Sequence, residues 1–185
     1  MAEIALAAQP GVPQSGVLER IAQHEATMRP GLVTRFFRAI GRTAGFAALY
    51  RRIGPKLDTW LQRRFKGSFT ARIYGIPALL IVTTGAKSGL PRTSPLLYVR
   101  DGDDFIVVGT NFGQEHHPAW TNNLQANPRA TIEVGPERLT VDAVLVSDAD
   151  FPGQWNKLVQ LYPGYAGYLA RSGRHPRMFR LRAVA

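Results

Sequence analysis

The spacing of apolar residues changes from helical to strand-like near Phe69. Before this point, apolar side chains recur every three or four positions, which is the period of one helix face. This period predicts helices over residues 17–28, 32–50 and 56–65. Residues 1–16 are rich in Ala, Gln, Gly and Pro and show no period, so we expect a flexible arm there.

After this point, short apolar runs separated by turn residues predict about six strands. These strands are expected over residues 78–84, 93–100, 105–110, 130–135, 138–147 and 178–183. The D-G-D sequence at 101–103 indicates a hairpin turn between the second and third strands. We expect a helix over residues 118–126, another from near Asp148 with Ser147 as its cap, and a third over 162–171. Closely spaced strands with tight turns favour an α+β fold with a mostly antiparallel barrel or sandwich.

The composition excludes several classes of protein. The 185 residues contain no cysteine, which excludes disulfides, thiolate zinc sites, iron–sulfur clusters and cysteine nucleophiles. No apolar run reaches the roughly 18 residues that a membrane-spanning helix needs. The N-terminus carries Glu3 and no basic stretch, so we expect no secretory signal and a cytoplasmic protein.

Positive charge is concentrated in the first part of the chain. The formal net charge is +10, and residues 31–72 hold ten basic side chains with Asp58 as their one acidic residue. Such an excess indicates an acidic partner, which could be nucleic acid, anionic lipid or a polyanionic small molecule. We expect no nucleic acid, because the segment lacks a helix-turn-helix or RNA-binding signature. A basic amphipathic helix can lie on a membrane surface, and it can equally dock on its own domain.

The first segment with candidate chemistry is G-A-K-S-G-L-P-R at 85–92. It places an ammonium, a hydroxyl and a guanidinium in one turn between strands, an arrangement that suits a phosphate. The same residues also fit an ordinary hairpin turn with solvated charges, because the Walker A spacing is absent.

The second segment, residues 109–120, leads from a strand through a loop into a helix start. Backbone amides at such a point can meet an anion or the polar edge of a ring. His116 and His117 are adjacent and have no third ligand at a suitable spacing, so we expect no metal. From its position alone, Trp120 is interpreted as a core residue.

The third segment carries Tyr162, Tyr165 and Tyr168, whose spacing places them on one side of a helix. Phenols can donate a hydrogen bond or a proton to a bound carbonyl or nitro group. The alternative is a packing stripe with hydroxyls at its rim. The motifs G-x-S-x-G, H-E-x-x-H and G-x-G-x-x-G are absent, so an enzyme with this sequence would rely on a cofactor.

Taken in order, these segments resemble one known family, the deazaflavin-dependent nitroreductases, a branch of the split β-barrel flavin and deazaflavin oxidoreductases. The matching motifs are T-T-G-A-K-S-G-L-P-R-T-S-P-L at 83–96, D-G at 101–102, H-P-A-W-T-N-N-L-Q-A-N-P at 117–128 and L-Y-P-G-Y-A-G-Y at 161–168. The similarity covers about residues 54–182. It implies a split-barrel domain over residues 54–185, preceded over 1–53 by the arm and a basic helical extension.

The resemblance also implies a cofactor, coenzyme F-420, which is a deazaflavin with a phosphate and an oligoglutamate tail. The implied cofactor-binding residues are Ala86, Lys87, Ser88, Gly89, Leu90, Pro91, Arg92, Val108, Gly109, Thr110, Asn111, Ala119, Trp120, Thr121, Asn122, Asn123 and Tyr165. Ala86 and Gly89 would contribute through their backbone. The basic side chains Arg63, Arg64 and Lys66 would face the anionic tail.

By the same resemblance, the reduced cofactor would transfer a hydride to an enone, a quinone or a nitro-heterocycle. The implied substrate-binding residues are Leu97, Phe112, Tyr162, Tyr165 and Tyr168. The implied catalytic residues are Tyr165, Tyr168 and Thr110. Water is an alternative proton donor to the two tyrosines.

Three positions depart from the family pattern. Asn111 stands where relatives often have Lys, Phe112 where they often have Gly, and Leu97 where some have an aromatic residue. These departures leave the acceptor open, and nitroreduction in particular. Two alternatives also stay open: a split barrel that binds FMN, haem or lipid without deazaflavin turnover, and a basic module for membrane surfaces or polyanions. The sequence does not indicate an oligomeric state.

Overall fold

The computed structural model describes residues 14–27 and 76–184. Within these residues the chain forms four α-helices, six β-strands and a 3₁₀ turn at Asn111–Gly113. The helices are α1 (Gln14–Ala26), α2 (Ala119–Ala126), α3 (Phe151–Leu161) and α4 (Gly164–Ser172). The strands are β1 (Ala78–Thr84), β2 (Pro91–Asp101), β3 (Asp104–Val108), β4 (Arg129–Val134), β5 (Glu137–Leu145) and β6 (Met178–Ala183).

The six strands close into a barrel in the order β1-β2-β3-β6-β5-β4, and every neighbouring pair is antiparallel. Closure pairs both edges of the sheet, which removes the unpaired backbone groups of an open edge. Helix α2 connects β3 to β4, and helices α3 and α4 connect β5 to β6. The predicted α+β barrel is confirmed, and the sandwich alternative is excluded.

Alternating residues of each strand fill the barrel interior. In β1, the buried residues Leu79, Ile81 and Thr83 alternate with more exposed neighbours, as the two-residue period of a strand requires. The fully buried rings of Tyr98 and Phe105 meet edge to face, with their centroids 5.3 Å apart. These residues belong to the main hydrophobic core.

Helix α1 packs on the barrel and completes this core. Val17 and Ile21, one helical turn apart, are buried among the barrel residues. At the helix surface, Arg20 makes a two-pronged ion pair with Glu137 of β5, with nitrogen–oxygen distances of 2.7 and 3.0 Å. Although α1 belongs to the segment assigned to the extension, it is therefore part of the barrel's own packing.

A hydrogen bond joins α1 to the centre of the core. The hydroxyl of the buried Tyr98 donates to the Glu25 carboxylate across 2.5 Å. Burial, and after it this hydrogen bond, raises the pKa of Tyr98, so its phenol stays protonated at neutral pH.

A second apolar cluster covers the outer face of the barrel under α3 and α4. In β3, Phe105 and Val107 point into the main core, whereas Ile106 and Val108 point into this second cluster. Leu158 of α3 is fully buried there.

Asp101, at the end of β2, fastens α3 to the barrel. Its carboxylate accepts hydrogen bonds from Lys157 (2.7 Å) and Gln154 (2.9 Å) of α3, and it pairs with Arg180 of β6 at 2.7 Å. The bonds from Lys157 and Arg180 lower the pKa of Asp101 to about 2.

The structure confirms the predicted strands and adjusts their ends. Strand β2 begins two residues earlier than expected, at Pro91. Strand β3 ends at Val108, so Gly109 and Thr110 belong to the loop that follows.

Three predicted helix starts were wrong. Helix α4 begins at Gly164 rather than Tyr162, because Tyr162 has an extended backbone and is the C-cap of α3. Helix α3 begins at Phe151 rather than near Asp148, because the Ser147 hydroxyl instead accepts from the Asp150 N–H at 3.2 Å in a turn before the helix. Helix α1 begins at Gln14, so residues 14–16 are helical rather than part of a flexible arm. The rest of the arm and the helices expected over 32–50 and 56–65 lie outside the described residues.

No helix within residues 14–27 or 76–184 is long and apolar enough to cross a membrane.

Replacing Ile21 tests the role of α1 in the core. Because Ile21 is 0% exposed, Ile21→Ala is expected to lower the free energy of unfolding by about 2–4 kcal/mol through lost burial and a residual cavity. Urea denaturation measures this change. The exposed Gln23→Ala on the same helix is the control, and equal stabilities of the two variants would contradict the docking of α1.

Acid titration tests the Asp101 junction. A carboxyl whose pKa is lowered in the folded state stabilises the fold above its unfolded pKa and loses this effect as the pH falls. From pH 5 to about 2, wild-type stability should therefore fall more steeply than that of Asp101→Asn. Asp103→Asn is the control because the Asp103 side chain is 86% exposed. Parallel stability curves for wild type and Asp101→Asn would refute the assignment.

Candidate active site

The structure joins the three segments singled out in the sequence through a chain of direct contacts. The turn at 85–92 is bonded to Asn123 of α2. Thr121 of the same helix packs against Gly109, where the second segment starts. Phe112 of that segment packs against Tyr168 of α4, with ring centroids 5.9 Å apart. The three segments are therefore neighbours in the fold.

Asn123 fixes the turn through both ends of its amide. Its Oδ1 accepts the Ala86 N–H at 3.0 Å, and its Nδ2 donates to the Thr83 hydroxyl at 2.9 Å. Asn123 and Thr83 are both buried, so these bonds are shielded from competing water. Asn123 was assigned to cofactor binding, and the structure shows it engaged in holding the turn.

Two hydrogen bonds hold the backbone of the turn. The N–H of Ala86 donates to Asn123, and the N–H of Gly89 donates to the Gly85 carbonyl at 2.8 Å. Both N–H groups are thus used within the protein, and the expected contact of the Ala86 and Gly89 backbone with a cofactor stays a prediction. The N–H groups of Lys87 and Ser88 have no acceptor among the described residues.

The side chains of the turn form an exposed cationic surface. Lys87, Ser88 and Arg92 are all exposed. No carboxylate of the described residues forms an ion pair with Lys87 or Arg92. Leu90, Pro91, Ala119 and Asn122 are exposed as well.

The end of β3 lies very close to α2. A Cβ atom at Gly109 would stand 2.6 Å from the Thr121 methyl group and 3.2 Å from the Pro118 ring, so glycine permits this approach. The side chain of Trp120 is buried in the main core beside Phe179, as its position alone predicted. Any contact of Trp120 with a ligand would therefore involve its backbone.

The loop after β3 contains a left-handed turn. Asn111, Phe112 and Gly113 have φ angles of 49°, 55° and 77°. Residues other than glycine adopt this conformation at a cost, and bulky ones such as Phe rarely do so. At Gly113, a Cβ atom would also stand 3.1 Å from the Tyr168 carbonyl oxygen, so the turn lies directly against α4.

The three tyrosines form one cluster. Tyr162 and Tyr165 meet edge to face at 5.3 Å, and the Tyr162 and Tyr168 hydroxyls lie 3.2 Å apart. Tyr165 is buried and also packs near Trp155. Leu97 packs against the same apolar cluster. The predicted substrate residues are thus together, and the cluster is both a packing stripe and a source of hydroxyl groups.

Burial affects the phenols of Tyr165 and Tyr168. Burial, followed by the neighbouring Tyr162, raises the pKa of Tyr165. Burial, followed by the hydrogen bond with Tyr162, raises the pKa of Tyr168. The hydroxyl of Tyr165 and that of the buried Thr110 bond to none of the described residues. Both hydroxyls can therefore donate to a bound molecule.

Sequence reasoning missed Arg174, which follows α4. Its guanidinium donates to the carbonyls of Gly109 (3.1 Å), Thr110 (3.0 Å) and Gln114 (3.0 Å). Its Nη1 also donates to Nδ1 of His117 at 2.8 Å. The sequence places these partners about 60 residues away, and nothing in the R-S-G-R-H-P-R stretch indicates them.

The two adjacent histidines have different surroundings. His116 is exposed, whereas His117 is partly buried and bonded to Arg174. Burial, followed by the charges of Arg174 and Arg177, lowers the pKa of His117. The described residues contain no group of three or more His, Cys, Asp or Glu side chains that could hold a metal ion.

Comparison with known proteins gives a family for this site. The family model described as F420H(2)-dependent quinone reductase matches residues 55–179. An F420H(2)-dependent quinone reductase of Mycobacterium tuberculosis (strain H37Rv) is 38% identical over 123 residues, which are 64% of this chain and 83% of the relative. A putative F420H(2)-dependent quinone reductase of Mycobacterium bovis matches with the same identity and coverage.

Solved structures agree with this family. The structure of an F420-H2 dependent reductase (FDR-A) is 32% identical, has a TM-score of 0.54, and covers 57% of this chain and 94% of its own. Another, described as a domain-swapped dimer, is 27% identical and has a TM-score of 0.55. The match covers 70% of this chain and 98% of that structure's chain. The family match spans well over half of the chain, and with these relatives it confirms the resemblance seen in the motifs. The chain belongs to the F420H(2)-dependent quinone reductase family and is a split-barrel oxidoreductase with reduced coenzyme F-420 as hydride donor.

Proposed function

We propose that the chain reduces a quinone-type acceptor at the tyrosine cluster, with F-420 bound along the surface from the turn at 85–92 to the loop after β3. One observation carries this proposal: an exposed cationic turn is fastened by a buried amide to the helix that borders this loop. The family gives the cofactor, and the contacts described above support its placement.

The turn at 85–92 fits the phosphate of the cofactor. Lys87 and Arg92 supply two cations that no described carboxylate neutralises, and Ser88 supplies a hydroxyl. The backbone N–H groups of Lys87 and Ser88 are available beside them. Charge-assisted hydrogen bonds of this kind are the strong ones in anion recognition. In this proposal the residues that bind phosphate are Lys87, Ser88 and Arg92.

The ring of the cofactor would lie along Val108, Gly109 and Thr110. Gly109 brings the backbone of the strand end close to α2, where Ala119 and Asn122 are exposed. The first N–H groups of a helix lack partners within the helix, so the start of α2 offers donors to a polar ring edge.

Reduced F-420 supplies a hydride when bound, and quinone reduction also consumes a proton. The phenols of Tyr165 and Tyr168 are protonated near neutral pH, so either can donate a hydrogen bond to the oxygen that gains charge. Their raised pKa values make them weaker acids, so full proton transfer depends on the charge that develops on that oxygen. The Tyr162 and Tyr168 hydroxyls, 3.2 Å apart, can pass a proton onward. Phe112 and Leu97 border the same cluster and would limit the shape of the acceptor.

The basic residues 31–72, including Arg63, Arg64 and Lys66, lie outside the described residues. Their proposed contacts, with the oligoglutamate tail or with a membrane surface, stay predictions. The cytoplasmic location and the domain boundary near residue 54 stay predictions as well. Reduction of enones or nitro-heterocycles also stays a prediction, because the family comparison gives only quinones as the class of acceptor.

Removing both cations of the turn tests the phosphate assignment. Lys87→Ala combined with Arg92→Ala should raise the Kd for oxidised F-420 about 100-fold or more, because each lost charge-assisted bond contributes roughly 1.5–3 kcal/mol and about 1.4 kcal/mol corresponds to tenfold. A fluorescence titration of F-420 measures Kd, and FMN is titrated alongside.

The control for this experiment is Arg129→Ala combined with Arg182→Ala, which removes the same charge from side chains that are 63% and 61% exposed. An equal loss of affinity in both double variants would mean that the affinity depends on the overall charge of the protein and not on the turn. An unchanged Kd in the turn variant would remove the phosphate assignment. Tighter binding of FMN than of F-420 would overturn the cofactor placement.

Replacing Tyr165 tests the proton donor. If its phenol is the acid, Tyr165→Phe should lower kcat with a model quinone about 100-fold, the lower part of the range for general acid catalysis. The Kd for F-420 should change little, because the ring of Phe keeps the packing. Tyr168→Phe is measured in parallel. A wild-type kcat for Tyr165→Phe would assign the proton to Tyr168 or to water.

A further inference from the structure

We propose that Arg174 is a positioning residue, which holds the loop at 109–117 in the shape that aligns the bound ring with the acceptor. This proposal rests on the proposed function for the identity of the ring and the acceptor. Its structural part, the fixing of the loop, stands on the hydrogen bonds of Arg174 alone.

The guanidinium of Arg174 is committed almost completely to this loop. Four of its five N–H groups are used by Gly109, Thr110, Gln114 and His117. No carboxylate of the described residues pairs with Arg174. Its role is therefore the recognition of backbone carbonyls, which requires the planar, multiple donor geometry of arginine and not simply a positive charge.

The loop needs such a clamp because its conformation is unfavourable by itself. Asn111 and Phe112 both have positive φ angles, and such residues persist only where their surroundings hold them. Arg174 grips the loop on both sides of this turn, at Thr110 before it and at Gln114 after it. The bonds within the turn, Gly113 N–H to Thr110 and Gln114 N–H to Asn111, are local and do not connect it to another element.

The clamped turn places two parts of the site relative to each other. On one side, the carbonyls that Arg174 binds belong to Gly109 and Thr110, which line the proposed ring position. On the other side, Phe112 packs edge to face against Tyr168 of the acceptor cluster. Arg174 also bonds to His117, the residue that precedes Pro118 at the start of α2. A shift of this loop would therefore change the distance between the ring and the acceptor.

The turn at 85–92 is held independently of this clamp. Its attachment runs through Asn123 to Thr83 and Ala86, and none of these residues contacts Arg174 through a hydrogen bond. Loss of Arg174 should therefore leave phosphate binding largely intact while it disturbs alignment. Misplacement of reacting groups by about 1 Å can cost on the order of 100-fold in rate.

The test compares Arg174→Ala, Arg174→Lys and wild type, with Arg182→Ala as a control at an exposed arginine paired with Asp104 at the far end of β3. The first readout is amide hydrogen exchange of the protein without cofactor. We expect faster exchange at Gly113 and Gln114 in Arg174→Ala, and unchanged exchange at the amides of β1. Arg174→Lys should restore protection only in part, because its donors all lie on one nitrogen, whereas the three carbonyls are bound by two separate nitrogens of the guanidinium.

The second readout is kinetic. With a model quinone, Arg174→Ala should lower kcat about 10- to 100-fold, while the Kd for F-420 rises less than about threefold. Arg182→Ala should resemble wild type in both. Equal loss in kcat and in F-420 affinity would mean that Arg174 supports the whole site, and it would overturn the positioning role.

The two readouts separate the failure of this inference from the failure of the proposed function. Wild-type exchange at Gly113 and Gln114 in Arg174→Ala overturns the clamp, whatever the protein binds. A second outcome is faster exchange at Gly113 and Gln114 in Arg174→Ala together with a wild-type protein that binds no F-420. It would confirm that Arg174 fixes the loop, and it would reject the proposed function and with it the alignment role.

Discussion

The bonds of the Asn123 amide are the interaction on which the arrangement of the site depends. One side chain, buried between β1 and α2, accepts from Ala86 and donates to Thr83. A buried amide that lost one of these partners would leave an unsatisfied polar group, so both contacts are strongly specified. The cationic turn therefore has a fixed place relative to α2, and Gly109 then brings the end of β3 against the same helix.

Much of the fold could be predicted because each element has a local signal. The strands follow apolar runs between turn residues, and α2 follows Pro118 and stops before Asn127 and Pro128. The helix starts were less predictable, since Ser147 is an acceptable cap in sequence but caps a turn that ends before α3. The docking of α1 could not be predicted from the sequence either. The burial of Val17 and Ile21 depends on a barrel whose strands lie more than 50 residues further along the chain.

In the site, too, features with a local sequence signal were predictable, and features that depend on distant residues were not. Lys87, Ser88 and Arg92 lie within one short turn, and the three tyrosines lie within seven residues, at the end of α3 and in α4, so their grouping is local and the sequence predicts it. The inward direction of the Ala86 and Gly89 amides and the clamp of Arg174 are set by partners distant in sequence or by turn geometry. The family resemblance supplies roles for residues, but it does not distinguish a residue that touches a ligand from one that holds another residue in place. Asn123 illustrates this, because its motif position suggested a ligand contact and its amide is used within the protein.

The turn at 85–92 and the loop after β3 are held in place by two independent sets of hydrogen bonds. The turn at 85–92 is fastened by the buried, neutral amide of Asn123, whose bonds are shielded from solvent and do not depend on ionic strength. The loop after β3 is fastened by a partly buried cation, which binds carbonyl groups around a turn that is unfavourable in itself. Substitutions at Asn111, Phe112 or Leu97, which belong to this loop or pack against the tyrosine cluster, can therefore reshape this side of the barrel without moving the turn at 85–92. Under the proposed function, binding of the cofactor and the shape of the acceptor pocket would rest on different residues of one barrel, so a change of acceptor would not require a change in cofactor binding.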